Sequence, residues 1–219
     1  MTNTQSASPS SADARRPAGA RASDASSAEA RVVPGRIERM RAERRASGEA
    51  SFFYREVAFN ADAVKVMPGE YFVHSEDLVI TTTLGSCIAA CLWDRQAAVG
   101  GINHFMLPDM ARSKHGDVDS LLSGNFAMEA LLNALLAKGA KKVRLQAKAF
   151  GGGTIIDTDG GSLSIGMRNA NFAKEWLGRE GIPLLSSDFL GPWSRKIIFL
   201  PTTGEALCKR MVTNMANAE

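Results

Sequence analysis

A cysteine and a histidine supply the chemistry that this chain announces. Thr-Leu-Gly-Ser-Cys runs from Thr83 to Cys87, and Asn-His-Phe-Met-Leu-Pro runs from Asn103 to Pro108. A thiolate, not a thiol, is the nucleophile, so a reactive cysteine needs a base beside it. Strands on either side of a turn at 94–97 would set Cys87 and His104 next to one another. Gly85 permits a tight turn, and the amides of Gly85, Ser86 and Cys87 are placed to donate to an oxyanion. That is a minimal kit for covalent catalysis at a carbonyl carbon.

Blander roles exist for each residue. A free cysteine is among the most buried residue types, and a histidine in an apolar strand is commonly a satisfied core residue. Cys91 shares a strand face with Cys87, because the interval is even, and reads as core. Cys208 reads as structural. Cys87, Cys91, His104 and His115 could together ligate zinc, but their spacing fits no compact finger pattern, and no metal is expected. Gly151-Gly152-Gly153 is followed by no Lys-Ser or Lys-Thr and is no phosphate loop. A tight turn or close packing that lines the cleft is expected there.

The elements that must position these residues are mostly strands. Val64–Met67 and Tyr71–Val73 flank the turn signal Pro68-Gly69, and Leu78–Thr83 is rich in β-branched residues. Ile88–Trp93 and Val99–Met106 are expected to pair. Val118–Lys138 carries a broad apolar helical face closed by Gly139. Val143–Phe150 alternates as a strand, Asn169–Arg179 is a second amphipathic helix, and Leu184–Phe189 reads as a strand. Lys196–Leu200 and Ala206–Met211 suit a terminal hairpin. Strands dominate the first half and helices interrupt the second, which points to an α+β fold with mixed sheets.

Composition narrows the class. The chain has 219 residues, 45% of them hydrophobic, and three cysteines, too few for a disulfide framework. Reduced thiols and the lack of an apolar leader or an 18-residue apolar run point to a cytoplasmic protein without membrane insertion. The formal charge is +3, and it sits entirely in residues 1–50, which hold nine Arg and six acids. The remainder is balanced, so a basic nucleic-acid-binding face is not expected. Residues 1–50 are polar and Arg-rich and are expected to be disordered, apart from a short charged helix at Arg36–Ala46. The folded domain is expected at 51–219.

Four ordered blocks resemble the CheD family of chemoreceptor glutamine deamidases. They are Thr81-x-x-Leu84-Gly85-Ser86-Cys87, Gly100-Gly101-x-x-His104-x-Met106-Leu107-Pro108, Lys148-Ala149-x-Gly151-Gly152 and Ile165-Gly166-x-Arg168-Asn169. Pro68-Gly69-Glu70-Tyr71 also fits, and the likeness runs from Val64 to Leu200. The resemblance implies a layered α/β/β sandwich with mixed sheets. It implies hydrolysis of receptor glutamine amides to glutamate, without a cofactor, with Cys87 as nucleophile and His104 as general base. The third family residue is a threonine six places before the cysteine, here Thr81, with Thr82 and Thr83 as neighbours. Gly85 and Ser86, with Gly152 and Gly153 of the glycine run, are the expected oxyanion and substrate-binding positions. Partners implied are the cytoplasmic domains of chemoreceptors and, in some bacteria, a CheC-type phosphatase. The alternatives are a CheD-like adaptor that docks without turnover and an unrelated cysteine hydrolase or peptidase.

Overall fold

The structure, a computed structural model, describes residues 35–107, 124–154 and 164–211. Helix α1 (Arg36–Ala42) leads into β1 (Phe52–Glu56), β2 (Ala61–Lys65), β3 (Tyr71–His74), β4 (Val79–Leu84), β5 (Ile88–Asp94) and β6 (Val99–Asn103). Helix α2 (Gly124–Ala137), β7 (Gln146–Gly151), α3 (Ile165–Arg179), β8 (Leu184–Phe189), β9 (Ser194–Leu200) and β10 (Glu205–Met211) follow.

Two five-stranded sheets form, in the orders β1-β2-β4-β9-β10 and β3-β6-β5-β7-β8. Both are mixed, since β2 runs parallel to β4 and β7 parallel to β8, while the other pairs are antiparallel. Alternation sorts β5 into two faces. Ala89, Cys91 and Trp93 pack with Ile80, Leu84, Ile197 and Phe199 between the sheets. Ile88, Ala90 and Leu92 pack with Met128, Leu131, Leu135 and Trp176 under α2 and α3. Every residue of β5 is buried, as expected of a strand covered on both faces. The layers are helix, sheet, sheet, which is the expected α/β/β arrangement.

Three departures from the sequence reading matter most. Residues 36–50, expected outside the folded domain apart from a short helix, pack onto it: Met40 and Ala50 are buried, and the Arg45 guanidinium lies over the rings of Phe53 and Phe72 at 4.8 and 5.6 Å. Arginine stems bury well on aromatic faces, so a charged composition did not preclude packing. Val143 is not in a strand. It sits in a 3₁₀ turn at Lys142–Arg144 and faces solvent, and β7 begins only at Gln146. Helix α3 starts four residues earlier than expected, where the Ser164 hydroxyl accepts from the Met167 amide as an N-cap. Residues 1–34, His115 and the expected helical residues 118–123 lie outside the described residues. Among those described, no helix is long and apolar enough to cross a membrane.

Candidate active site

Cys87 and His104 come together through the β5–β6 register. Beyond the end of β6, Ile88 and Phe105 form an antiparallel bridge and exchange both backbone hydrogen bonds at 2.9 Å. One step further sets Cys87 opposite Met106 and Ala89 opposite His104. Cys87 and His104 are therefore diagonal neighbours on the face turned toward the other sheet, a relation that separates Cα atoms by about 7–8 Å. Cys87 is half-buried, whereas His104 is only 2% exposed.

The other sheet supplies what orients the imidazole. Thr82 Oγ1 lies 2.9 Å from His104 Nδ1 and donates its own proton to the Val66 carbonyl at 2.8 Å. With that proton committed, the hydroxyl oxygen accepts Nδ1–H, and the free lone pair stays on Nε2. Nε2 is buried and has no hydrogen-bond partner among the described residues. Thr81, the expected third residue, does not face the imidazole. Its hydroxyl shares a 2.8 Å hydrogen bond with Tyr54 on the opposite face of the sheet. The correction follows from the pleat: Ile80, Thr82 and Leu84 point between the sheets, so Thr81 and the exposed Thr83 point away.

Burial sets the protonation states. It pushes the Cys87 thiol above its ordinary value, against a smaller downward pull from that residue's own amide. It holds His104 down, to about 4, against a smaller upward pull from the Val66 carbonyl. At neutral pH the resting pair is thus a thiol and a neutral imidazole with an unsatisfied acceptor. Such a pair transfers its proton when an electrophile arrives, rather than resting as an ion pair.

The triple glycine holds the thiol loop by its backbone. Gly152 N–H donates to the Cys87 carbonyl at 2.9 Å, and Gly153 N–H donates to the Gly85 carbonyl at 2.8 Å. These two amides are consumed and are not available as oxyanion donors, which corrects the expectation for Gly152 and Gly153. The amides of Gly85, Ser86 and Cys87 belong to no strand ladder and remain the candidate donors. Gly152 takes a left-handed φ of 68°, and an added Cβ would lie 2.6 Å from the Gly166 carbonyl of α3. Glycine is needed there for both reasons. Asn169, one turn along α3 from Gly166, is fully buried. Its Nδ2 donates to the Ser86 carbonyl at 2.8 Å, and its Oδ1 accepts from Leu107 N–H at 2.9 Å.

Buried Arg195 pairs with Leu84 across β4 and β9 and lies beside Gly153 of the glycine run. Its guanidinium donates to Asp188 Oδ1 at 2.8 Å and to the carbonyls of Leu190 and Trp193. Gly191 O of that β8–β9 loop accepts from Thr154, next to the glycine run. Sequence reasoning left Thr82 as an alternative to Thr81 and did not single out Asn169 or Arg195. The one local signal was a polar residue on an apolar helical face, at Asn169.

Comparison with known proteins identifies the family. Residues 106–210 match the family model described as CheD chemotactic sensory transduction. A relative from Dechloromonas aromatica is 69% identical over 154 residues, covering 70% of this chain and 78% of its own, and is named "Probable chemoreceptor glutamine deamidase CheD 2". This chain belongs to the CheD family. Two further CheD relatives carry the corresponding name. One, from Albidiferax ferrireducens, is 49% identical over 80% of this chain and 73% of its own. The other, from Cupriavidus pinatubonensis, is 46% identical over 73% of each. A solved Neisseria meningitidis protein, NMB0706, assigned to the family model DUF152, aligns over 56% of this chain and 52% of its own. Its identity is 14% and its TM-score 0.32, too slight a likeness to bear on the CheD fold.

Proposed function

We propose that this CheD chain hydrolyses selected glutamine side chains on chemotaxis receptors to glutamate, with Cys87 as nucleophile and His104 as general base. The observation that carries the reading is the buried Nε2, without a hydrogen-bond partner among the described residues, of an imidazole whose Nδ1–H is fixed by Thr82 on the sheet face it shares with Cys87. The names of the CheD relatives supply the substrate class.

The steps follow from that geometry. Nε2 takes the Sγ proton as sulfur bonds to the glutamine Cδ, and the carbonyl electron pair moves to oxygen. Loop amides of Gly85, Ser86 and Cys87 stabilise that oxyanion. Collapse of the intermediate breaks the C–N bond, and the imidazolium gives its proton to the leaving nitrogen, which departs as ammonia. A γ-glutamyl thioester remains. Nε2 then deprotonates a water that attacks the same carbon, the C–S bond breaks, and the thiolate recovers the proton from the imidazolium. The sum is glutamine plus water giving glutamate plus ammonia, and no step calls for a cofactor. The reading places the protein in the cytoplasm, where thiols stay reduced; Cys87, Cys91 and Cys208 are all free.

The test is intact-mass spectrometry of a chemoreceptor cytoplasmic fragment incubated with the protein and with its Cys87→Ala variant. A gain of about 1 Da per modified glutamine, seen only with the intact thiol, is the result that covalent catalysis requires. Binding without a mass change identifies an adaptor, backbone cleavage identifies a peptidase, and an active Cys87→Ala variant removes the thiol from the mechanism.

A further inference from the structure

Asn169 occupies a place in the structure that a strand ladder would ordinarily fill. In antiparallel pairs, hydrogen-bonded pairs recur every second residue. Ile88 and Phe105 are such a pair, so the next one toward the thiol is Ser86 with Leu107. There the direct Leu107 N–H to Ser86 carbonyl bond is replaced. Leu107 N–H donates to Asn169 Oδ1 at 2.9 Å, and Asn169 Nδ2 donates to the Ser86 carbonyl at 2.8 Å. One carboxamide, delivered from α3, is spliced into the ladder and holds the two strands apart by its own width. Cys87 sits between the closed pair at Ile88 and the spliced pair at Ser86.

We infer that Asn169 is a positioning residue for the Cys87–His104 pair. The spliced amide fixes how far the thiol loop stands from the strand that carries His104. The backbone of α3 supports the splice, because Gly166 and Gly152 pack backbone to backbone one turn earlier. A second carboxamide bounds the site on its other side: Ala90 N–H donates to Asn103 Oδ1 at 2.9 Å, and Asn103 Nδ2 donates to the Ala127 carbonyl of α2 at 3.0 Å. The ladder therefore closes directly at Ile88–Phe105, between two asparagines, and the thiol and imidazole hang from that short segment. Asn169 acts through the backbone of Ser86 and Leu107, and touches neither the thiol nor the substrate in this role.

This inference rests on the deamidase reading for its activity readout but not for its decisive one. Asn169→Leu keeps side-chain volume and removes both hydrogen bonds, and Asn169→Ala serves if leucine overpacks. The first measurement is the rate of Cys87 alkylation by iodoacetamide across the neutral to alkaline range, read by mass spectrometry of the Cys87 peptide. At neutral pH it should fall about tenfold or more, since misplacing a reacting pair by about 1 Å costs up to ~10²-fold. With receptor fragment, kcat should fall by a similar factor while KM changes little. The same substitution in a His104→Gln background should change alkylation by less than about twofold, because the coupling it disturbs is already gone. A wild-type alkylation profile in a folded Asn169 variant, or an equal loss in both backgrounds, overturns the inference. If the wild-type protein releases no ammonia, the deamidase reading fails, while the alkylation comparison still decides the role of Asn169.

Discussion

The neutrality of His104 makes the stability of this protein depend on pH in a way that one substitution can isolate. The imidazole titrates near 6.5 when exposed, whereas burial holds it to about 4 in the fold. Because the folded value is the lower one, the unfolded chain binds the extra proton as pH falls below about 6.5. The stability contributed by keeping His104 neutral is complete above that point and is lost as pH falls toward 4. The whole shift corresponds to about 3 kcal/mol, of which about 2 kcal/mol disappears between pH 7 and pH 5. For a chain of this size that is a drop of roughly 4–8 °C in Tm. The assay is urea unfolding of the wild type and His104→Gln at the two pH values. Groups shared by both proteins, such as Asp94 held near 2 by Arg144 and neighbouring amides despite burial, cancel in the difference. The wild type should lose about 2 kcal/mol more than the variant on acidification. An equal loss in both proteins would refute the claim that His104 is buried neutral.

Other perturbations separate the parts of the site. Thr82→Val keeps the shape but removes the acceptor of Nδ1–H, and should lower kcat by about 10²-fold, within the range that a positioned general base supplies. Thr81→Val, on the outer face against Tyr54, should leave kcat nearly unchanged; steady-state kinetics on one receptor fragment compares the two. Gly152→Ala meets both a left-handed backbone and the Gly166 carbonyl, and should cost about 2–4 kcal/mol in chemical unfolding. Arg195→Met leaves the half-buried Asp188 without its inner partner and strips donors from two loop carbonyls, a loss of about 3 kcal/mol or more in the same assay.

What the sequence disclosed about this site was local, and what it hid was long-range. Cys87 and His104 were legible because two strands and a short turn fix their register within twenty residues. The glycine run was legible as close packing because it lacked phosphate-loop neighbours. The choice among Thr81, Thr82 and Thr83 was not legible. Three consecutive threonines offer both faces of a strand, and the inward face is set by pairing with β2 and with β9, the latter more than a hundred residues away. Asn169 was visible inside its block, but its purpose depends on Ser86, 83 positions earlier in the chain. The charged stretch at 36–50 read as lying outside the folded domain because composition counts charges and does not see Arg41 donating to the Phe53 carbonyl or Arg45 lying on Phe53.

Nε2 of His104, which has no hydrogen-bond partner among the described residues, ties stability to chemistry. A buried acceptor left without a donor costs about 1–3 kcal/mol, so a core selected for stability alone would fill it. Here the described surroundings offer Nε2 no hydrogen-bond donor. Thr82 satisfies the other nitrogen, and its own proton is spent on Val66, so the ring has no reason to turn. The side chain of Ala89, directly across the ladder, has no polar atom to offer. In the proposed mechanism the donor to Nε2 is the Cys87 thiol, and after it the water that would resolve a thioester. A replacement that supplies Nε2 with a permanent partner should therefore stabilise the fold and silence the thiol. Ala89→Ser is that replacement: it sets a hydroxyl directly opposite His104 on the same face. Higher chemical stability with slower Cys87 alkylation is the expected outcome. Faster alkylation would mean that the Nε2 lone pair is not what activates the thiol.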